Sequence, residues 1–127
     1  MYEGRLHFAN VALRIYGQVP IHQDGIATGE IEIVGRALSV ATIFDNLVMD
    51  WEENAWVATH PNAVTQITSQ GKQRNFTGGE VEMHNPTWVA WGRGSTWKRR
   101  RHCMSRLTVC QRRVSLSERR LFLSILA

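Results

Sequence analysis

The residues of this 127-residue chain best able to bind a metal or act as nucleophiles are five histidines (7, 22, 60, 84 and 102) and two cysteines (103 and 110). The histidines show no ligand spacing, so each reads as a turn or surface residue. Cys103 and Cys110 lack the second pair that a structural zinc site takes. Two cysteines cannot build a disulfide framework either, so nothing requires an oxidising compartment. No glycine-rich phosphate loop, nucleophile elbow or Ser-His-Asp arrangement is identifiable. The run Lys98-Arg99-Arg100-Arg101-His102 has the form of a nuclear-localisation or nucleic-acid patch, and Trp97 beside it could stack a base. Short basic runs of this kind also arise by chance, and nucleic-acid binding is not expected.

Any site built from the remaining polar residues must be positioned by strands. Alternating or β-rich runs recur as RLHFA (5–9), RIYGQVPI (14–21), EIEIV (30–34), residues 44–49, WVAT within 55–59, AVTQIT (63–68), RNFT (74–77) and TWVAW (87–91). Between them lie turn signals: Asp24-Gly25, the polar stretch 50–54, Gln70-Gly71-Lys72 and Gly78-Gly79. Pro20 cannot donate to a ladder and belongs at a strand end or edge. About eight strands at a spacing of roughly 8–12 residues predict an all-β domain, because no helical periodicity longer than about two turns competes with them. Asp50 falls in a turn, where an Asp side chain bonds turn backbone. Trp51, Trp56, Trp88 and Trp91 fall in or beside strands and are candidate core.

Composition narrows the class. With 43% hydrophobic residues and five tryptophans the chain can bury a core, which excludes disorder for most of its length. No run approaches the roughly 18 apolar residues of a membrane span, and residues 1–10 carry no secretory-leader pattern, so the default expectation is a cytoplasmic protein with no membrane partner. The net charge of +4 conceals two unlike segments. Residues 1–92 hold five Lys/Arg against ten Asp/Glu, a net of −5, whereas residues 93–127 hold ten Lys/Arg against Glu118 alone, a net of +9. The basic character belongs to the last quarter, so the division expected is 1–94 and 95–127.

A repeat is visible within the first part. Residues 44–79 run strand, acidic break, aromatic strand, strand, glycine turn, strand; residues 5–34 repeat the second to fourth strands of that unit. Four strands in about 40–45 residues is the period of a propeller blade. A meandering sandwich would fit the same strands without a repeat.

Three segments carry a family resemblance: GRLHFANVALRIYGQVPIHQDGIATGEIEIV, FDNLVMDWEENAWVATHPNAVTQITSQGK and PTWVAWGRG. Over residues 4–94 the chain resembles the family of senescence marker protein (regucalcin), gluconolactonase and luciferin-regenerating enzyme, above all its fungal members, and the most specific stretch runs from Asp45 to Pro61. The resemblance implies a six-bladed β-propeller, here as about two blades, with a divalent metal (calcium or zinc) in its channel. It implies lactone or ester hydrolysis, and a small-molecule lactone or a natural-product intermediate as ligand; similar fungal proteins also serve as cyclases of the hetero-Diels–Alder type. The family motif places a metal-binding and catalytic Asp five residues before a second Asp and eleven before an aromatic, a spacing that Asp45, Asp50 and Trp56 match. Asp45 is therefore the candidate metal ligand and catalytic carboxylate, acting as general base on a metal-bound water.

Departures from the pattern weaken that inheritance. The resemblance begins inside a blade, so the family's other ligands, a Glu and two channel Asn, would lie upstream of Met1. Asn10, His7 and Asn46 are near the matched strands without sitting on ligand positions, and Glu53 replaces a blade-turn glycine. One carboxylate can neither hold calcium, which takes about six to eight oxygens, nor build a three-ligand zinc site. An inactive fragment that does not bind the metal is expected, with self-association through open blade edges.

After Gly94 the resemblance stops. Charge and composition change abruptly, as a shifted reading frame or mis-assigned exon would make them change. The expectation there is an irregular basic tail or a short helix, in which Ser115-Leu116-Ser117-Glu118 forms a capping box opening a helix through Leu121, Phe122, Ile125 and Leu126. A non-catalytic β domain whose tail binds acidic partners is the remaining alternative.

Overall fold

The computed structural model describes residues 4–77, 83–91, 107–111 and 121–125. Ten strands and no helix occur among them: β1 (Arg5–Asn10), β2 (Ile15–Pro20), β3 (Glu32–Arg36), β4 (Ile43–Met49), β5 (Ala55–His60), β6 (Ala63–Ile67), β7 (Gln73–Phe76), β8 (Pro86–Trp91), β9 (Leu107–Gln111) and β10 (Leu121–Ile125). The domain is all-β, as its alternation predicts. Among the described residues no helix is long and apolar enough to cross a membrane.

The strands form three antiparallel sheets in chain order: β1-β2-β3, β4-β5-β6-β7, and β8-β9-β10. The central sheet is a four-stranded meander with β4 and β7 at its edges, and it spans the residues whose rhythm predicts one repeat unit. Pro20 closes β2, where its missing N–H costs no ladder bond. Asp24 and Gly25 make the expected turn: Gly25 has φ +86° and Asp24 Oδ1 accepts from the Ile26 N–H at 3.0 Å.

Both faces of the central sheet are covered, which is why β5 is buried nearly end to end instead of alternating. One core lies against the first sheet and joins Tyr16 to Phe44, Ala55, Val57 and Ile67, with Ala9, Val34 and Met49 at its margin. The other lies against β8 and joins Trp56, Ala58 and Val64 to Met83 and Val89, flanked by Phe76 and Trp91. In it the Trp56 ring meets the edge of Trp91 at 5.7 Å between centroids and the Phe76 ring at 5.2 Å. Such aromatic pairs add about 0.5–1.5 kcal/mol beyond the area they bury. The Trp91 indole N–H donates to the Met49 carbonyl at 2.8 Å, tying β8 to the end of β4.

The tail departs from expectation. Leu121–Ile125 is a strand paired antiparallel with Leu107–Gln111, Leu121 opposite Gln111 and Ile125 opposite Leu107, where a helix is predicted. An isolated helix shorter than about 12 residues is marginal in water, and this run of Leu, Phe and Ile gains interstrand bonds from β9 that a lone helix would not have. The capping box at 115–118, the basic run 98–102 and Cys103 lie outside the described residues. β9 also joins β8, so one sheet contains strands from either side of Gly94.

Candidate functional site

Asp45 and Asn46 stand together at an irregularity of β4. Phe44 pairs with Thr59 and Leu47 with Val57, so two residues of β4 oppose the single Ala58 of β5. A bulge of this kind bends its strand and turns side chains that a regular ladder would alternate. Asp45 keeps 38% of its side chain exposed. Its Oδ2 lies 3.5 Å from Nε2 of His60, the last residue of β5, whose side chain is 26% exposed.

Asp45 and Asn46 edge a cleft of about 470 Å³ between β1 and β4, lined by His7, Phe8 and Ala9 on one side and by residues 45–49 on the other. His7 is fixed from behind: its Nδ1 shares a hydrogen bond of 2.9 Å with the Tyr16 hydroxyl, and the two rings stack at 6.1 Å. Tyr16 is buried, and its hydroxyl reaches Met49 Sδ at 3.8 Å. Burial, with the nearby Glu32 charge adding to it, pushes the Tyr16 hydroxyl up to about 12. Tyr16 is therefore neutral at every physiological pH, and the bond between its hydroxyl and Nδ1 holds the His7 ring in place.

The structure thus brings Asp45 into a cleft with Asn46 and His7, sets His60 beside the Asp45 carboxylate, and places Asp50 elsewhere. Asp50 is buried at 6% exposure. Its Oδ1 accepts from the backbone N–H groups of Glu52 and Asn54, each at 2.9 Å, and its Oδ2 accepts from Asn54 Nδ2 at 3.0 Å and Trp56 Nε1 at 2.8 Å. Every acceptor direction points into the turn, so Asp50 fastens the β4–β5 hairpin. Sequence reasoning does not find His60; the only signal it carries is its place at the end of a strand that must pair with the strand bearing Asp45.

A second cleft of about 450 Å³ opens on the same side of the first sheet, lined by Arg5, Tyr16, Gln18, Glu32 and neighbours. Two of its charged groups pair: Arg5 Nη1 lies 3.5 Å from Glu32 Oε2, to which Gln18 Nε2 donates at 2.7 Å. Exposed pairs of this kind contribute about 0–1 kcal/mol.

The donors around Asp45 do not fit the catalytic metal that the resemblance implies. Among the described residues no three His, Cys, Asp or Glu side chains gather as metal ligands. Asp45 supplies one carboxylate and Asn46 one amide, short of the oxygen shell of calcium, and the His60–Asp45 pair at 3.5 Å lacks the third protein ligand of catalytic zinc. What the arrangement can do is bind: Asp45 accepts from a ligand hydroxyl, and Asn46 offers both a donor and an acceptor. No protein-family model matches the chain, and no curated protein matches it.

Proposed function

We propose that this chain is a section of a six-bladed propeller of the gluconolactonase type, whose channel-side cleft derives from a metal-dependent lactone or ester hydrolase and which has no hydrolytic turnover in this form. The observation that carries the reading is the bulge of β4, which delivers Asp45, the residue matching the family's catalytic carboxylate, into a cleft at the first strand of a four-stranded antiparallel unit. The succession of three sheets in chain order, each packed on the next, supports it further. The incomplete donor set supports the inactive state, because a lone carboxylate beside an imidazole has nothing to lower the pKa of a water.

Turnover of glucono-δ-lactone and of phenyl acetate, followed by pH-stat with calcium or zinc added, is expected to equal the buffer rate. Metal-dependent turnover that disappears in Asp45→Asn would overturn the inactive reading.

The same site favours a second reading on one observation: Phe8, Leu47 and Met49 give the cleft apolar walls beside its polar groups. A cyclase of natural-product metabolism needs a shaped, part-apolar cavity and no metal. Saturable quenching of tryptophan fluorescence by a polyene substrate analogue, lost in Leu47→Lys, would support that reading; a linear, non-saturating response would exclude it.

A further inference from the structure

The walls of the cleft between β1 and β4 are strand edges. Three consecutive residues of β1 and five of β4 line it, and because successive side chains point to opposite faces of a strand, a wall of consecutive residues presents backbone. On the side away from β2, β1 pairs with no described strand. β1 is also the counterpart of β5. Gly4 immediately precedes β1 with φ +73°, and Glu53, two residues before β5, has φ +63°. Ala9 of β1 packs toward the following sheet, as Trp56 and Ala58 of β5 do. In the central sheet the edge of β5 is covered by β4; the equivalent edge of β1 faces the cleft.

We propose that this cleft is an acceptor for one extended strand of another polypeptide, apolar at alternate positions, which adds to β1 as β4 adds to β5. The inference rests on reading the two sheets as units of one repeat. The chemistry of the occupant follows from its two faces. One side of the added strand continues the surface that carries Phe8, whose ring lies over Gly17 so closely that a Cβ there would sit 2.8 Å from Phe8 Cζ. The other continues the core at Ala9, Met49 and Tyr16. Asp45 on the facing wall favours a basic flank. Main-chain bonds supply the affinity in strand addition, and the alternate side chains supply the selectivity.

The test uses the full chain at low micromolar concentration and the peptide Ac-Lys-Val-Thr-Val-Thr-Val-Lys-NH2. The expected result is saturable binding, increased amide protection at residues 5–10 by hydrogen exchange, and binding weaker by about tenfold or more when the three valines are N-methylated, which removes donors and keeps the side chains. Equal binding of the N-methylated peptide, or protection confined to β3 or β7, would overturn the proposal. Protection of residues 5–10 that grows with protein concentration and needs no peptide would assign the cleft to a second copy and overturn it equally. Cross-strand NOEs within β4–β7 report on the repeat separately, so an absent peptide response with those NOEs intact rejects the acceptor site alone.

Discussion

The Trp56 indole N–H donates to Asp50 Oδ2 at 2.8 Å, and that bond ties the largest ring of the core to the turn that starts the central hairpin. Asp50 also accepts two backbone N–H groups and the Asn54 amide. Replacing it with alanine leaves several donors unpaired in a nearly dry site, each costing about 1–3 kcal/mol where no water can reach. Asp50→Ala is expected to lose roughly 3 kcal/mol in denaturant titrations, with Trp56 fluorescence shifting to the red. A loss below about 1 kcal/mol would mean that water enters the turn.

The contrast with Asp45 is sharp. Its partner His60 sits 3.5 Å away and both side chains are partly exposed. Asp45→Ala is expected to change stability by no more than about 0.5 kcal/mol, as surface substitutions do. A large loss would show that the carboxylate is structural.

Glu53 adopts φ +63° in the turn that Asp50 fastens. A side chain in the left-handed region costs roughly 1–2 kcal/mol, a cost glycine escapes. Glu53→Gly is expected to raise stability by about 1 kcal/mol despite the greater freedom of glycine in the unfolded chain. An unchanged or lowered thermal midpoint would contradict this.

Tyr16 gives the fold an alkaline limit. Its hydroxyl ionises near 10 when unfolded and is pushed up to about 12 when folded, by burial first and by Glu32 second. A group raised in the folded state contributes stability that is complete below its unfolded pKa and is lost as pH rises through the folded one. Stability is expected to fall by roughly 2 kcal/mol between pH 10 and 12, and Tyr16→Phe, which cannot ionise, is expected to flatten that fall. Phenolate absorbance at 295 nm across a pH series checks it.

Leu6 and Ile33 are 46% and 43% exposed on the outer face of the first sheet, which carries Phe8 as well. Neighbouring apolar side chains on an exposed sheet face favour association between molecules through that face. The chain is expected to be oligomeric by light scattering at tens of micromolar, and Leu6→Lys with Ile33→Lys to reduce its mass. A wild-type monomer under those conditions would rule this out.

Much of the architecture was legible locally. Alternating or β-rich runs between turn signals placed β1 to β8 within about two residues, because both patterns are set by neighbours along the chain. Asp50 was readable as a turn residue for the same local reason, since its acceptors are reached within six positions of its own chain. The strands read in residues 5–34 and 44–79 fall in two separate antiparallel sheets, of three and four strands. The strand at Leu121–Ile125 was not legible, because choosing strand over helix depended on β9, ten residues away along the chain.

The sequence by itself determined the all-β class and the turns, since both depend on residue type and neighbours along the chain; Asp45 was singled out by the family resemblance alone. Tertiary structure decided what surrounds Asp45. The bulge opposite Ala58, His60 at 3.5 Å, and a cleft whose far wall is β1, 36 residues or more upstream, arise only when separate sheets pack face to face. Packing also decides which side chains converge there, and among the described residues no three His, Cys, Asp or Glu side chains do so.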